Sequence, residues 1–152
     1  MNTWDQYFKA NREGWNLRTE VHKNSEFYQV ERWKNEGNSL TPIELREVGD
    51  VQGKKLLHLQ CHFGQDTLSW ARLGAEVTGC DLSDNAIDFA RELAAELNIP
   101  AQFVRCNLYD LPVAENSADV VVATDIIEHL PDDAKGVSEI FRVLKPGAFA
   151  LL

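Results

Sequence analysis

Residues 49 to 152 alternate short apolar runs with helical apolar patterns, whereas residues 1 to about 48 are polar with scattered large aromatics. The alternation predicts an α/β domain with a parallel sheet, since strands covered on both faces read as continuous apolar runs. Strands are expected at Lys55 to Gln60, Glu76 to Asp81, Ala101 to Cys106 and Asp119 to Thr124, with a fifth beginning at Phe149 to Leu152. Helices fall between them. One covers Asp66 to Leu73, with Gly74 as its left-handed stop. Another is capped by Ser83 and carries one stripe of Ala86, Ile87, Ala90, Leu93, Ala94 and Leu97, ended by Asn98 and Pro100. Val137, Ile140, Phe141 and Leu144 mark the next, and Lys145-Pro146-Gly147-Ala148 suits a type II turn before the last strand. In the first region Trp4, Tyr7 and Phe8 have helical spacing. So do Phe27, Val30 and Trp33, a face expected to pack on the sheet and to end at Gly37. Thr41-Pro42-Ile43-Glu44 reads as a capping box with proline at the first helical position, opening a short helix to Gly49. Residues 1–48 are therefore taken as an N-terminal helical cap and 49–152 as the core.

In such sheets ligands bind beyond the carboxyl ends of the strands, near the switch in strand order. That rule brings the loop at 60–66, Asp81-Leu82, Asn107-Leu108-Tyr109 and Thr124-Asp125 to one rim. The turn Gln60-Cys61-His62-Phe63-Gly64-Gln65-Asp66 joins a strand to a helix N-terminus, where free backbone N–H groups attract an anion. Gly64 would let a ligand approach the backbone closely. A tight turn in any α/β protein would look the same. Asp81 stands near the ~20-residue distance at which an acid after a glycine turn accepts the ribose hydroxyls of an adenosine cofactor. Capping the next helix beside Ser83 is its competing role.

The formal net charge is −9, with 44% hydrophobic and 26% charged residues. A phosphate backbone would be repelled by that surface, and the densest basic cluster, Lys54-Lys55, is too small to offset it, so nucleic acid is not expected as a partner. The apolar runs fall short of the ~20 residues a membrane span needs, and Met1 to Asn11 hold no secretory core. Cys61, Cys80 and Cys106 are an odd number without C-x-x-C spacing, which suits reduced thiols and a cytoplasmic location. His58, Cys61 and His62 lie close in sequence, but no fourth ligand is evident and no metal is expected. Cys61 has no fixed basic partner that would make it a nucleophile.

Five segments in order resemble the motifs of class I S-adenosylmethionine-dependent methyltransferases. They are Leu56 to Gly64; Gly79-Cys80-Asp81-Leu82-Ser83; Phe103 to Pro112; Ala118 to Val122 followed by Glu128-His129-Leu130; and Arg142-Val143-Leu144-Lys145-Pro146-Gly147. The resemblance covers roughly 53 to 152 and implies a Rossmann-like, doubly wound, mostly parallel sheet with S-adenosyl-L-methionine as cofactor and a small molecule as methyl acceptor. It implies that Gln60, Cys61, His62, Phe63 and Gly64 hold the methionine end. Asp81 would take the ribose, with Leu82 against the adenine. Asn107 and the Leu108 N–H would meet the adenine edge, and Thr124 and Asp125 would line the floor. The chain departs from the family in carrying His58 where an acid is usual, and Gln60 and His62 where glycines are usual. His62 would instead reach the methionine carboxylate with its side chain. In small-molecule members an N-terminal segment closes over the cofactor, a role open to Trp4, Tyr7 and Trp15.

Asp125 and His129 follow the fourth strand, but no catalytic base is assigned. The resembled fold has two further strands beyond the fifth, so the chain is expected to be incomplete. Ala148 to Leu152 would then form an apolar edge that pairs with a second copy or aggregates. A non-catalytic cofactor-binding module is the alternative function. A nicotinamide-dependent dehydrogenase is disfavoured because no G-x-G-x-x-G follows the first strand.

Overall fold

The computed structural model describes residues 3–124, 126 and 130–152. Three helices come first: α1 (Thr3–His22), α2 (Val30–Glu36) and α3 (Pro42–Val48). Strands and helices then alternate through β1 (Lys55–Leu59), α4 (Gln65–Arg72), β2 (Glu76–Asp81), α5 (Asp84–Glu96) and β3 (Gln102–Arg105). The chain continues through β4 (Ala118–Val122), α6 (Asp133–Val143) and β5 (Leu144–Leu151). The five strands form one parallel sheet in the order β3-β2-β1-β4-β5, the doubly wound arrangement expected from the sequence. The order reverses between β1 and β4, and that reversal opens a crevice at their carboxyl ends.

Strand alternation sends side chains to two covered faces. Leu57, Leu59 and Val121 pack with Leu111, Ile140 and Val143 under α6. Leu56, Val120 and Val122 pack with Trp70, Val48 and Val51 under α3 and α4. The α5 stripe of Ile87, Ala90, Leu93 and Ala94 closes on Phe63, Leu68 and Phe103 beside them. Both local caps form as read. Thr41 Oγ1 accepts the Glu44 N–H at 3.2 Å while Glu44 Oε2 accepts the Thr41 N–H at 2.8 Å, and Ser83 Oγ accepts the Ala86 N–H at 3.1 Å.

Three expectations need correction. Phe27 does not pack on the sheet. It lies in the turn before α2 and is 86% exposed, because the helix begins only at Val30 and leaves Phe27 off the buried Val30–Trp33 face. On α6, Val137 and Phe141 point outward, and the buried face is Gly136, Ile140 and Val143. Close approach selects that face: a Cβ on Gly136 would sit 2.5 Å from Leu130 Cδ1. The Pro146-Gly147 segment does not precede the last strand but lies within it. Pairing with β4 jumps from Ala118↔Leu144 to Val120↔Phe149, so the extra residues bulge out at Gly147, whose φ is +80°. Among the described residues β5 pairs only with β4 and forms one edge of the sheet, with Phe149 exposed. No helix among the described residues is long and apolar enough to cross a membrane.

Candidate cofactor site

The β1–α4 turn keeps the backbone of a glycine-rich loop while carrying side chains. Gln60 has φ +49°, His62 φ +51° and Gly64 φ +76°. Gln60 and His62 are the positions where glycine is usual in the resembled family. Holding a non-glycine residue in the left-handed region costs about 1–2 kcal/mol, and such strain clusters at functional sites. The turn is pinned by three hydrogen bonds. Cys61 N–H donates to Cys80 O at 3.0 Å, Gly64 N–H to Cys61 O at 2.9 Å, and His62 N–H to Asp81 Oδ2 at 2.8 Å.

Asp81 ends β2 with both oxygens anchored, since Oδ1 accepts the Ser83 N–H at 2.8 Å. The helix-entry role and a place in the cavity therefore coexist in one residue. Burial raises its carboxyl above the usual range, opposed by N–H groups of Ser83, His62 and Leu82. Each carboxylate oxygen retains a lone pair for a ligand hydroxyl. After β3, Asn107 Oδ1 accepts the Tyr109 N–H at 3.0 Å, which turns the chain so that Leu108 is buried. The Leu108 N–H makes no hydrogen bond among the described residues.

These groups line one cavity of about 310 Å³ at the strand ends. Of the residues expected there, Gln60, His62, Asp81, Leu82, Asn107, Leu108 and Thr124 border it. Asp125 and His129 lie outside the described residues. Cys61, Phe63 and Gly64 do not border this cavity but line a second cleft on the other side of the turn. Cys61 and Phe63 are buried beneath the turn, and burial pushes the Cys61 thiol up, away from nucleophile chemistry. Gly64 is needed for packing, because a Cβ there would lie 2.5 Å from the Phe103 ring. Overpacking and left-handed strain together should make Gly64→Ala cost about 2–4 kcal/mol in urea unfolding, and a loss under about 1 kcal/mol would show that Phe103 gives way. Among the described residues no cluster of three or more His, Cys, Asp or Glu side chains is arranged to hold a metal ion.

The roof of the cavity is α1, which contributes Tyr7, Phe8, Asn11 and Trp15. It docks on the start of α5, where Ser83 Oγ donates to Asn16 Oδ1 at 2.7 Å, the Asn85 N–H reaches the same oxygen at 3.2 Å, and Arg12 Nε lies 3.3 Å from Asp84 Oδ2. At its far end His22 Nδ1 meets His62 Nε2 at 3.1 Å. The His62 ring is enclosed by Trp15, Tyr28 and Phe63 at centroid distances of 5.6, 5.5 and 4.3 Å. Burial first, then His22, lowers the His62 pKa to about 4, so the ring is neutral near pH 7. Asn11, Arg12, Asn16 and His22 were not anticipated from the sequence. Their signal was present in Tyr7, Asn11, Trp15 and His22, a mixed aromatic and polar face at helical spacing.

The fold defines a Rossmann-like α/β protein of the class I methyltransferase type. Residues 57–152 match the family model described as a methyltransferase domain, and the chain belongs to that family. A ubiquinone biosynthesis O-methyltransferase of Alkalilimnicola ehrlichii is 30% identical over 119 residues, covering 75% of this chain and 48% of the relative. The chain thus spans about half the length of that relative. A solved structure of a putative S-adenosyl-L-methionine-dependent methyltransferase from Methanococcus maripaludis aligns with TM-score 0.71 at 18% identity, over 91% of this chain and 61% of the other. Geranyl diphosphate C-methyltransferase from Streptomyces coelicolor, solved with S-adenosyl-L-homocysteine, aligns with TM-score 0.67 at 23% identity, over 71% and 42%. These two likenesses concern the fold.

Proposed function

We propose that the chain is the cofactor-binding part of an S-adenosylmethionine-dependent methyltransferase whose acceptor is a small molecule. The carrying observation is Asp81 at the end of β2, facing the same cavity as Asn107, Leu108 and Thr124. The residues present fit the cofactor. A carboxylate with free lone pairs suits ribose hydroxyls, the Leu108 N–H, without a partner among the described residues, suits a ring nitrogen, and Leu82 and Leu108 give the adenine apolar contact. When bound, the cofactor supplies a methyl group activated by its sulfonium. Asp81 and Asn107 orient the nucleoside, and Thr124 borders the floor toward β4. Helix α1 covers the site, with Phe8 packed edge-on against Tyr109 at 5.5 Å and Trp15 lining the cavity beside Tyr28. No general base is assigned, because an in-line methyl transfer needs alignment first and a base only when the acceptor must lose a proton. The free thiols of Cys61, Cys80 and Cys106 support a cytoplasmic location. The open edge of β5 supports pairing with a further strand.

Titration calorimetry separates this reading from its alternatives. S-adenosylmethionine and S-adenosylhomocysteine are expected to bind and NAD not to. Binding of NAD alone would overturn the assignment. Tight binding without turnover on amine, hydroxyl or carboxyl acceptors would favour a non-catalytic module.

A further inference from the structure

A second cleft, of about 900 Å³, opens on the other side of the β1–α4 turn and shares Tyr28, Gln60, His62 and Thr124 with the cofactor cavity. Gln60 and His62 thus border both spaces, and a ligand that spans them would pass these two residues. The helix α4 end of the cleft presents acceptors. Gln65 is 8% exposed; its Nε2 donates to Tyr28 O at 2.8 Å, and its Oε1 is buried with no partner. Next to it, Asp66 has one oxygen held by Ser39 Oγ, while its other oxygen has no hydrogen bond or ion pair among the described residues. The remaining acidic and basic groups of the cleft are engaged elsewhere. Glu44 is taken up by its capping box with Thr41, Arg32 bonds Gln29, and His58 is tied to Thr67 Oγ1 at 2.8 Å. Burial also keeps His58 neutral, so it cannot supply the charge of the acid usual at its position in the family.

We propose that Asp66, with the Gln65 amide oxygen beside it, receives the ammonium group of the amino-acid end of the ligand. This rests on the cofactor reading above and adds a binding residue to it. An ammonium carries three donors and no acceptor, which matches a site offering two vacant acceptors and no donor in excess. Burial holds the Asp66 carboxyl above its ordinary range, opposed by the Ser39 hydrogen bond, and a cation placed beside it would offset that penalty. The acid of the site has thus moved from the strand into the first turn of the helix.

The test compares S-adenosylhomocysteine with 5′-methylthioadenosine, which keeps the nucleoside and lacks the amino-acid end. Asp66→Asn preserves an oxygen for Ser39 and removes the charge. It should weaken S-adenosylhomocysteine binding about tenfold or more and leave methylthioadenosine within about twofold, as loss of a charge-assisted bond requires. Equal loss for both ligands overturns the proposal while leaving the cofactor reading intact. Failure of the unaltered chain to bind either ligand overturns both. If Asp66→Asn does not fold, carbon NMR of the Asp66 carboxyl in the unaltered chain decides the matter. Its titration midpoint should fall on adding S-adenosylhomocysteine and stay put with methylthioadenosine; an unmoved midpoint with both overturns the proposal.

Discussion

Asp81→Ala is expected to cost about 1.5–3 kcal/mol of S-adenosylhomocysteine affinity, roughly 10- to 150-fold, the range for hydrogen bonds to a charged group. Two effects add. The variant loses the carboxylate that faces the ribose position, and it releases the His62 and Ser83 N–H groups that this carboxylate holds. The second effect loosens the turn in which Gln60 and His62 sit in left-handed strain, so the loop should lose its shape as well as its charge. A lower unfolding free energy is therefore expected alongside the weaker binding. Calorimetry should be run at a temperature where circular dichroism shows the variant folded. A folded Asp81→Ala chain that binds as tightly as the original would remove Asp81 from the site.

Acid is expected to destabilise the chain through His58 between pH 6.5 and about 4. Burial lowers the His58 pKa from 6.5 to about 4, and its Nδ1 is paired with Thr67 Oγ1 inside the core. The fold therefore favours neutral His58, and the unfolded chain takes up the proton first. This contribution is fully present above pH 6.5 and is lost as pH falls through about 4. At pH 4.5 the loss is about 2.5 kcal/mol. His62 acts in the same direction over the same window. Asp66 and Asp81 act oppositely, because burial raises their folded pKa values and the fold then binds their protons more readily. A difference measurement isolates His58. His58→Asn keeps a polar group near Thr67 and cannot titrate. Urea unfolding at pH 7.5 and 4.5 should show the original chain losing about 2–3 kcal/mol more than the variant between the two conditions. Parallel losses would show that His58 is not held neutral.

The β1–α4 turn shows how far the sequence could be read. The strand before it, the helix after it and the acid at the end of β2 were all legible, because each follows from a local repeat of apolar positions or a residue preference at a terminus. The consequences of Gln60 and His62 replacing glycine were not legible. Whether those side chains block the ligand or roof it depends on what lies across from them, and that is α1, some forty residues earlier in the chain. Phe27 and Phe141 mark the same boundary. Their spacing suits an inward face, yet the start of α2 at Val30 and the close approach of Gly136 to Leu130 and Leu108 turn both residues outward.

By itself the sequence determined the order along the chain and type of the strands and of most helices, the parallel character of the sheet, and the rim on which Asp81, Asn107 and Thr124 meet. These are set by burial patterns that repeat over a few residues. Only the tertiary structure decided that α1 closes the cavity through Asn16 and His22, that Gly64 makes room for Phe103, and that Asp66 faces a second cleft. Those outcomes are contacts between segments remote in sequence, and no local periodicity encodes which distant surface a side chain will meet.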